Sequence, residues 1–229
     1  WLMVFDSRHP GNSCRDACVP YSCQADAAPA DILGLWLSSG ISVMLSSVPN
    51  TTVFSPAGCE ELRLCLSEAL YNTEGIAAVR YPKGGEPAVV IQPQTRYDHS
   101  GKRGRTLAVG YGRLSAEMTA AAREASQRGE PVDWLRLVRI SPLPEEALEI
   151  AAAYERIVFF EEGILQGGIG ERFGAALLER GYSGGFEVVG VDNRFVPAGT
   201  VAQQLQLFGL DRASMTARLA ENSGGSHAT

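Results

Sequence analysis

The sequence predicts an α/β protein with parallel sheets, and three observations carry that prediction. Residues 51–81 run strand, helix, strand, a βαβ unit whose crossover helix requires parallel pairing. Residues 106–220 alternate strands with helices again, the pattern of a second α/β layer structure. Between them, residues 86–105 hold Pro87, Pro93, Gly101 and Gly104 and turn polar after Ile91. Such a stretch reads as a linker and places a domain boundary near residue 100.

Local signals justify each element of the first half. Residues 51–54 are β-branched and aromatic, which suits a short strand. Ser55 then reads as a helix N-cap with Pro56 in the first helical position. Glu60 and Glu61 suit the positive end of that helix. Leu62, Leu66 and Ala69 fall at i, i+4 and i+7 and make its buried stripe. Residues 76–81 form the next strand, stopped by Pro82 and released by Gly84 and Gly85. That strand ends with Arg80, a charge where helices should cover both faces.

The second half is more regular. Residues 106–111 read as a strand, followed by a helix that Ser115 caps and Gly129 closes. Residues 134–140 read as a single strand. Pro144, Glu145 and Glu146 open a helix that runs to residue 154, and residues 157–161 form a strand. Ile169, Phe173, Ala176 and Leu177 make the stripe of a helix that Gly181 ends, before a strand over 186–191. Thr200 and Gln203 form a capping box for a helix stopped by Gly209, and Asp211 caps a last helix bearing Met215 and Leu219. Residues 223–229 read as a disordered tail. Residues 1–44 read as an irregular start with neither strand nor helix periodicity, apart from a helical look over 30–37.

Composition narrows the function. Apolar residues make up 45% and charged residues 20% of the 229 residues, as in an ordinary globular protein. A net charge of −6 argues against a nucleic-acid surface. No apolar run approaches the ~18–20 residues of a membrane span, and the start lacks the basic flank of a signal peptide. The expectation is a cytoplasmic protein with no nucleic-acid or membrane partner. The five cysteines are odd in number and suggest no disulfide framework. His9, Cys14, Cys18 and Cys23 lack the spacing of a zinc knuckle, and Cys65 reads as a core residue on its helix.

Few residues carry a chemical signal. Arg80 offers a fork of donors at a strand end, suited to a phosphate or carboxylate, and equally able to cap the sheet by pairing with an acid. Glu161 and Glu162 could form an acid/base pair, but neighbours on a strand point to opposite faces. Gly167, Gly168 and Gly170 sit between strand and helix, where dinucleotide loops sit. The fingerprint would need a glycine where Phe173 stands, so the glycines read as turn and packing positions. His9, His99 and His227 lie in irregular segments, read as solvated, and belong to no nucleophile–base–acid set.

Three runs resemble one family. Ala78-Val79-Arg80-Tyr81-Pro82-Lys83-Gly84 resembles the A-V-R-Y-P-[RK]-G segment of the 1-deoxy-D-xylulose-5-phosphate synthases, which are transketolase-like enzymes dependent on thiamine diphosphate. Glu161 to Gly170 is similar to their E-E-x-x-x-x-G-G-x-G segment. Arg194-Phe195-Val196-Pro197-Ala198-Gly199-Thr200, followed by Gly209-Leu210-Asp211, resembles their R-F-[VI]-P-x-G-[ST] … G-L-D ending. The resemblance implies a C-terminal portion of such an enzyme, with 1–44 an irregular or non-native start. Residues 45–100 would be the last part of a parallel-sheet pyrimidine-binding domain, and 101–222 a three-layer αβα transketolase C-terminal domain.

The resemblance further implies the condensation of pyruvate with glyceraldehyde 3-phosphate with loss of carbon dioxide, using thiamine diphosphate and magnesium in a homodimer. It carries Arg80 over as a contact to the acceptor phosphate, with Lys83 in the same loop as a weaker second. No catalytic, cofactor or metal residue carries over. The family's D-R-A-G turn and D-G-x-T-H-x-G loop have no counterpart here; Ser38-Ser39-Gly40-Ile41 keeps only the glycine. The implied fragment is therefore expected to be inactive and to bind no cofactor alone. Transketolase, a 2-oxo-acid dehydrogenase β subunit and a non-catalytic interaction domain derived from the family are the alternatives.

Overall fold

The computed structural model describes residues 2–6, 44–45, 47–81, 92–192 and 199–221. The described elements are β1 (Leu2–Asp6), β2 (Thr51–Phe54), α1 (Cys59–Tyr71), β3 (Ile76–Arg80), β4 (Tyr97–His99), β5 (Thr106–Tyr111), α2 (Leu114–Arg128) and β6 (Val132–Leu137). They continue with β7 (Arg139–Ser141), α3 (Glu145–Ala152), β8 (Arg156–Ile164), α4 (Ile169–Glu179), β9 (Gly185–Val191), α5 (Val201–Leu207) and α6 (Arg212–Ala220). Among the described residues no helix is long and apolar enough to cross a membrane.

The strands form two sheets, in the orders β1-β3-β2-β7 and β4-β6-β5-β8-β9. The pairs β2–β3, β5–β6, β5–β8 and β8–β9 are parallel, as the crossover helices require. The pairs β1–β3, β2–β7 and β4–β6 add antiparallel edges. The second sheet is the middle of three layers, the α/β arrangement the sequence predicts. Leu107, Val109, Ile157 and Phe159 pack on one face with Leu148 of α3 and Phe173 and Leu177 of α4. Ala108, Val158 and Phe160, the alternate residues, pack on the other face with Met118 of α2 and Met215 of α6. Under the first sheet, Phe54, Ala77 and Val79 close on Cys65 and Ala69 of α1 and on Val138. Burial pushes the Cys65 thiol up to about 12, as befits a core residue.

The structure corrects several local readings. Residues 2–6 are not irregular: they form β1, paired antiparallel with all of β3. Five residues are too few to show a period, and the signal for this strand is the sheet edge that β3 offers. Helix α1 begins at Cys59 behind Gly58, not at Ser55. Ser55 is buried and its backbone N–H donates to Val138 O at 2.7 Å, so the chain continues extended before it coils. The expected linker contains β4, and the loop after it is pinned by buried Asp133. That carboxylate accepts the backbone N–H groups of Arg103 at 2.7 Å and Gly104 at 2.8 Å. His99 is not simply solvated: it is half-buried, with one ring nitrogen 2.9 Å from the Tyr154 hydroxyl.

The single strand expected over 134–140 is two strands in different sheets. The chain leaves the second sheet after Leu137; Val138 and Arg139 donate their N–H groups to Arg96 O, both at 2.9 Å. β7 then pairs with β2 of the first sheet. The boundary drawn near residue 100 is thus crossed by the backbone and by a core in which Val53 and Ala78 pack with the second sheet. Ser115 lies one residue inside α2 and donates to Gly112 O at 2.6 Å instead of capping. The capping box of Thr200 with Gln203 and the cap by Asp211 form as the sequence indicates.

Arg136 on β6 is 1% exposed and reaches across to Glu61 of α1, 2% exposed, at 2.7 Å. Removing one partner of such a pair leaves a buried charge, at a cost of about 3–5 kcal/mol. Arg136→Met should therefore destabilise the chain by about that amount in denaturant unfolding. The double variant Arg136→Met/Glu61→Met should lose clearly less than the sum of the two single losses, since neither leaves the other stranded.

Candidate functional site at the junction of the sheets

Arg80 is the last residue of β3, after three buried apolar positions, and is itself half-buried. Its guanidinium carbon lies over the ring of Tyr111, 5.7 Å from the centroid. Tyr111 is the last residue of β5, in the other sheet. Two strands from two sheets thus end at one point, with their carboxyl-terminal residues in contact. Gly112 follows Tyr111 at φ +61, and a Cβ there would sit 2.8 Å from Ser55 Oγ and 3.8 Å from Arg80 Nη1. Glycine supplies both the left-handed turn and the room beside the guanidinium.

Tyr111 is fixed from below. Its hydroxyl donates to Glu161 Oε2 at 3.2 Å, and its ring packs at a tilt on Phe159, with centroids 6.2 Å apart. Glu161 sits in β8, 1% exposed, and its Oε2 also accepts the N–H of Ile169 at the start of α4, at 3.0 Å. Its Oε1 makes no hydrogen bond. Burial pushes the Glu161 carboxyl up to about 7, against the pull of the Gly170 amide, the Tyr111 hydroxyl, the Ile169 amide and the Arg80 charge. Burial, and then the Glu161 charge, raise the Tyr111 hydroxyl well above its ordinary value, so it stays a donor at every working pH.

Glu162 faces the other way and pairs through both oxygens with Arg113. The alternation expected of strand neighbours separates the two acids, and they share no site. Gly168 and Gly170 are packing positions. A Cβ on Gly168 would meet Glu161 Oε1 at 2.3 Å and Ile164 O at 2.5 Å; one on Gly170 would meet Val188 Cγ1 at 2.6 Å.

Lys83, His9, Cys14, Cys18, Cys23 and His227 lie outside the described residues. Among the described residues, no three His, Cys, Asp or Glu side chains converge as a metal site. Sequence reasoning found Arg80 but missed Tyr111 and Glu161 as its neighbours. The signal was present: an aromatic residue before a glycine at the carboxyl end of a parallel strand, where α/β sheets gather their ligands. The arrangement offers an anion a guanidinium fork, backed by an aromatic face and a buried carboxyl.

A carboxyl raised by burial stabilises the fold fully while it is protonated, below its ordinary value near 4.5, and that stabilisation is lost as pH rises through about 7. Glu161→Gln keeps a neutral group there at every pH. Thermal unfolding of the variant, measured relative to the parent, should therefore improve from pH 5 to pH 8; an unchanged difference would show that Glu161 does not titrate in this range.

Comparison with known proteins agrees with the architecture. The family model "Transketolase, C-terminal domain" matches residues 97–215. The 1-deoxy-D-xylulose-5-phosphate synthase of Bacteroides thetaiotaomicron is 31% identical over 183 residues, 76% of this chain and 28% of that enzyme. The synthase of Azobacteroides pseudotrichonymphae is 29% identical over 189 residues, 77% of this chain and 29% of that enzyme. The chain thus spans under a third of the length of these curated relatives. Among solved structures, the β4 tetramer of an inactive split-gene transketolase matches with a TM-score of 0.60 at 23% identity, covering 78% of this chain and 60% of that one. A Pichia stipitis transketolase matches with a TM-score of 0.59 at 15% identity, covering 80% of this chain and 26% of that one. At these identities the structures speak for the fold alone. By the match over its second half, the chain belongs to the transketolase C-terminal domain family.

Proposed function

We propose that this chain is a portion of a 1-deoxy-D-xylulose-5-phosphate synthase, which joins pyruvate to glyceraldehyde 3-phosphate with loss of carbon dioxide, and that Arg80 holds the acceptor's phosphate. The observation that carries the proposal is the position of Arg80, at the carboxyl end of a parallel strand and at the meeting point of the two sheets. Lys83 follows three positions later in the sequence. A homodimer and a cytoplasmic location go with this reading. In the enzyme, thiamine diphosphate supplies the carbanion that takes the two-carbon unit from pyruvate. The described residues offer no donor set for its magnesium ion, and the chain's own contribution is to bind and orient the acceptor.

A guanidinium meets two phosphate oxygens at once. The phosphate is remote from the reacting carbonyl, so the contact is the same before and during bond formation. It lowers KM for the acceptor without changing the chemical step. Losing a charged hydrogen-bonding partner costs ~1.5–3 kcal/mol, so Arg80→Ala in an enzyme carrying this chain should raise the acceptor KM about 10- to 150-fold. Arg80→Lys should recover only part of the loss, since a point charge replaces the fork. Decarboxylation of pyruvate without acceptor should not change. An Arg80→Ala variant that only melts earlier would make Arg80 a cap on the sheet and remove this reading.

The chain by itself should not bind thiamine diphosphate. Calorimetry with magnesium present should give no one-to-one binding in the micromolar range, and finding it would overturn the view that the cofactor site lies in other parts of the enzyme.

A further inference from the structure

Arg80 ends a strand of the first sheet but reaches the second. Its guanidinium lies over the Tyr111 ring, from β5 of the second sheet. That ring is locked by three features that have nothing to do with β3. Its hydroxyl is tied to Glu161 Oε2, its ring packs at a tilt on Phe159, and Phe159 packs in turn on Phe173 of α4 at 5.3 Å between centroids. Glu161 is itself fixed by the Ile169 amide at the start of α4. Tyr111 is 4% exposed, so it has little freedom to follow a moving guanidinium. A long side chain such as arginine loses rotamer freedom when it binds an anion, and a rigid platform lessens that loss.

We propose that Tyr111, anchored by Glu161, is a positioning residue that aims the Arg80 guanidinium at the phosphate of the acceptor, so that the C-terminal domain sets the affinity of a site on the neighbouring sheet. The proposal rests on the phosphate-binding role of Arg80 given above. It assigns to the second sheet a part in substrate recognition exerted through Arg80. Gly112 belongs to the same device: a Cβ there would press on Ser55 Oγ at 2.8 Å and approach Arg80 Nη1.

The groups facing Glu161 are the Tyr111 hydroxyl from β5, the Arg80 charge from β3, and the Ile169 and Gly170 amides from α4. The Glu161 side chain therefore serves as the anchor for the tyrosine, and a neutral amide can still accept the hydroxyl. Glu161→Gln should keep the positioning, whereas Tyr111→Leu should abolish it.

The test uses an enzyme carrying this chain and two acceptors, glyceraldehyde 3-phosphate and unphosphorylated glyceraldehyde. A cation over a desolvated ring gains up to about 2 kcal/mol, so Tyr111→Leu should raise KM for the phosphorylated acceptor about 5- to 30-fold. It should leave KM for glyceraldehyde and kcat for both unchanged. Calorimetric titration with glyceraldehyde 3-phosphate, without pyruvate, should show the same loss in Kd. Tyr111→Phe keeps the ring and loses only the anchor, and should show a phosphate-selective loss of about 2- to 10-fold; it serves alone if the leucine variant does not fold. In an Arg80→Ala background, Tyr111→Leu should add nothing. If Arg80→Ala leaves the acceptor KM unchanged, the phosphate role of Arg80 fails. If Arg80→Ala raises it but neither tyrosine variant changes the ratio between the two acceptors, the positioning role fails and the phosphate role stands.

Discussion

The buried contact between Arg136 and Glu61 sets the relation between the two halves of this molecule. Glu61 belongs to α1, under the first sheet, and Arg136 to β6, inside the second. Each charge is fully occupied. Arg136 also reaches Asp98 at 3.2 Å and the carbonyl of Gln92, while Glu61 takes the N–H groups of Ala57 at 2.9 Å and Gln94 at 3.0 Å. A buried ion pair adds little net stability compared with apolar residues of the same size, because its desolvation offsets its attraction. It does impose geometry. Any slip of one sheet against the other would strand both charges away from water.

That geometry brings the ends of β3 and β5 together. After β6 the chain crosses to the first sheet as β7, and β2 pairs with β3 on one side and β7 on the other. The second unit thereby supplies an edge to the first and cannot swing away from it. Arg80 and Tyr111 meet because of this crossing. Ligands of α/β proteins collect at the carboxyl ends of parallel strands, where the backbone stops and loops and side chains take over. Here the strands that meet belong to two sheets, which makes the interface between the units a part of the candidate site.

Most elements were legible because their signals are local. Thr200 with Gln203 and Asp211 are caps that a helix needs for its first amides, and they act within four residues. The parallel pairings follow from strand–helix–strand order. The readings that failed were those in which a distant group competes with a local signal. Ser55 looks like a cap, but its amide is taken by the carbonyl of Val138, which lies between β6 and β7 far along the chain. Glu61 looks like a dipole partner in a first helical turn, but an arginine from the other sheet claims it. Residues 86–105 look like a linker, but Asp133 collects the amides of Arg103 and Gly104. At the candidate site Arg80 stood out alone, because a charge ending an apolar strand is anomalous. Tyr111 did not, because an aromatic at a strand end is ordinary until its neighbour is known, and Glu161 was noticed only beside Glu162, not as the partner of Tyr111.

The sequence by itself determined the α/β class, the parallel sense of the central strands, the separation of Glu161 from Glu162 onto opposite faces, and the candidacy of Arg80. All of these depend on the period of the backbone or on residues close together in the chain. Only the tertiary structure decided that β6 and β7 part company after Leu137, that Arg136 is buried beside Glu61, and that the Arg80 guanidinium rests on the Tyr111 ring. These depend on which distant surfaces exclude water together. A charge or a ring carries no mark in sequence of the partner that burial will give it.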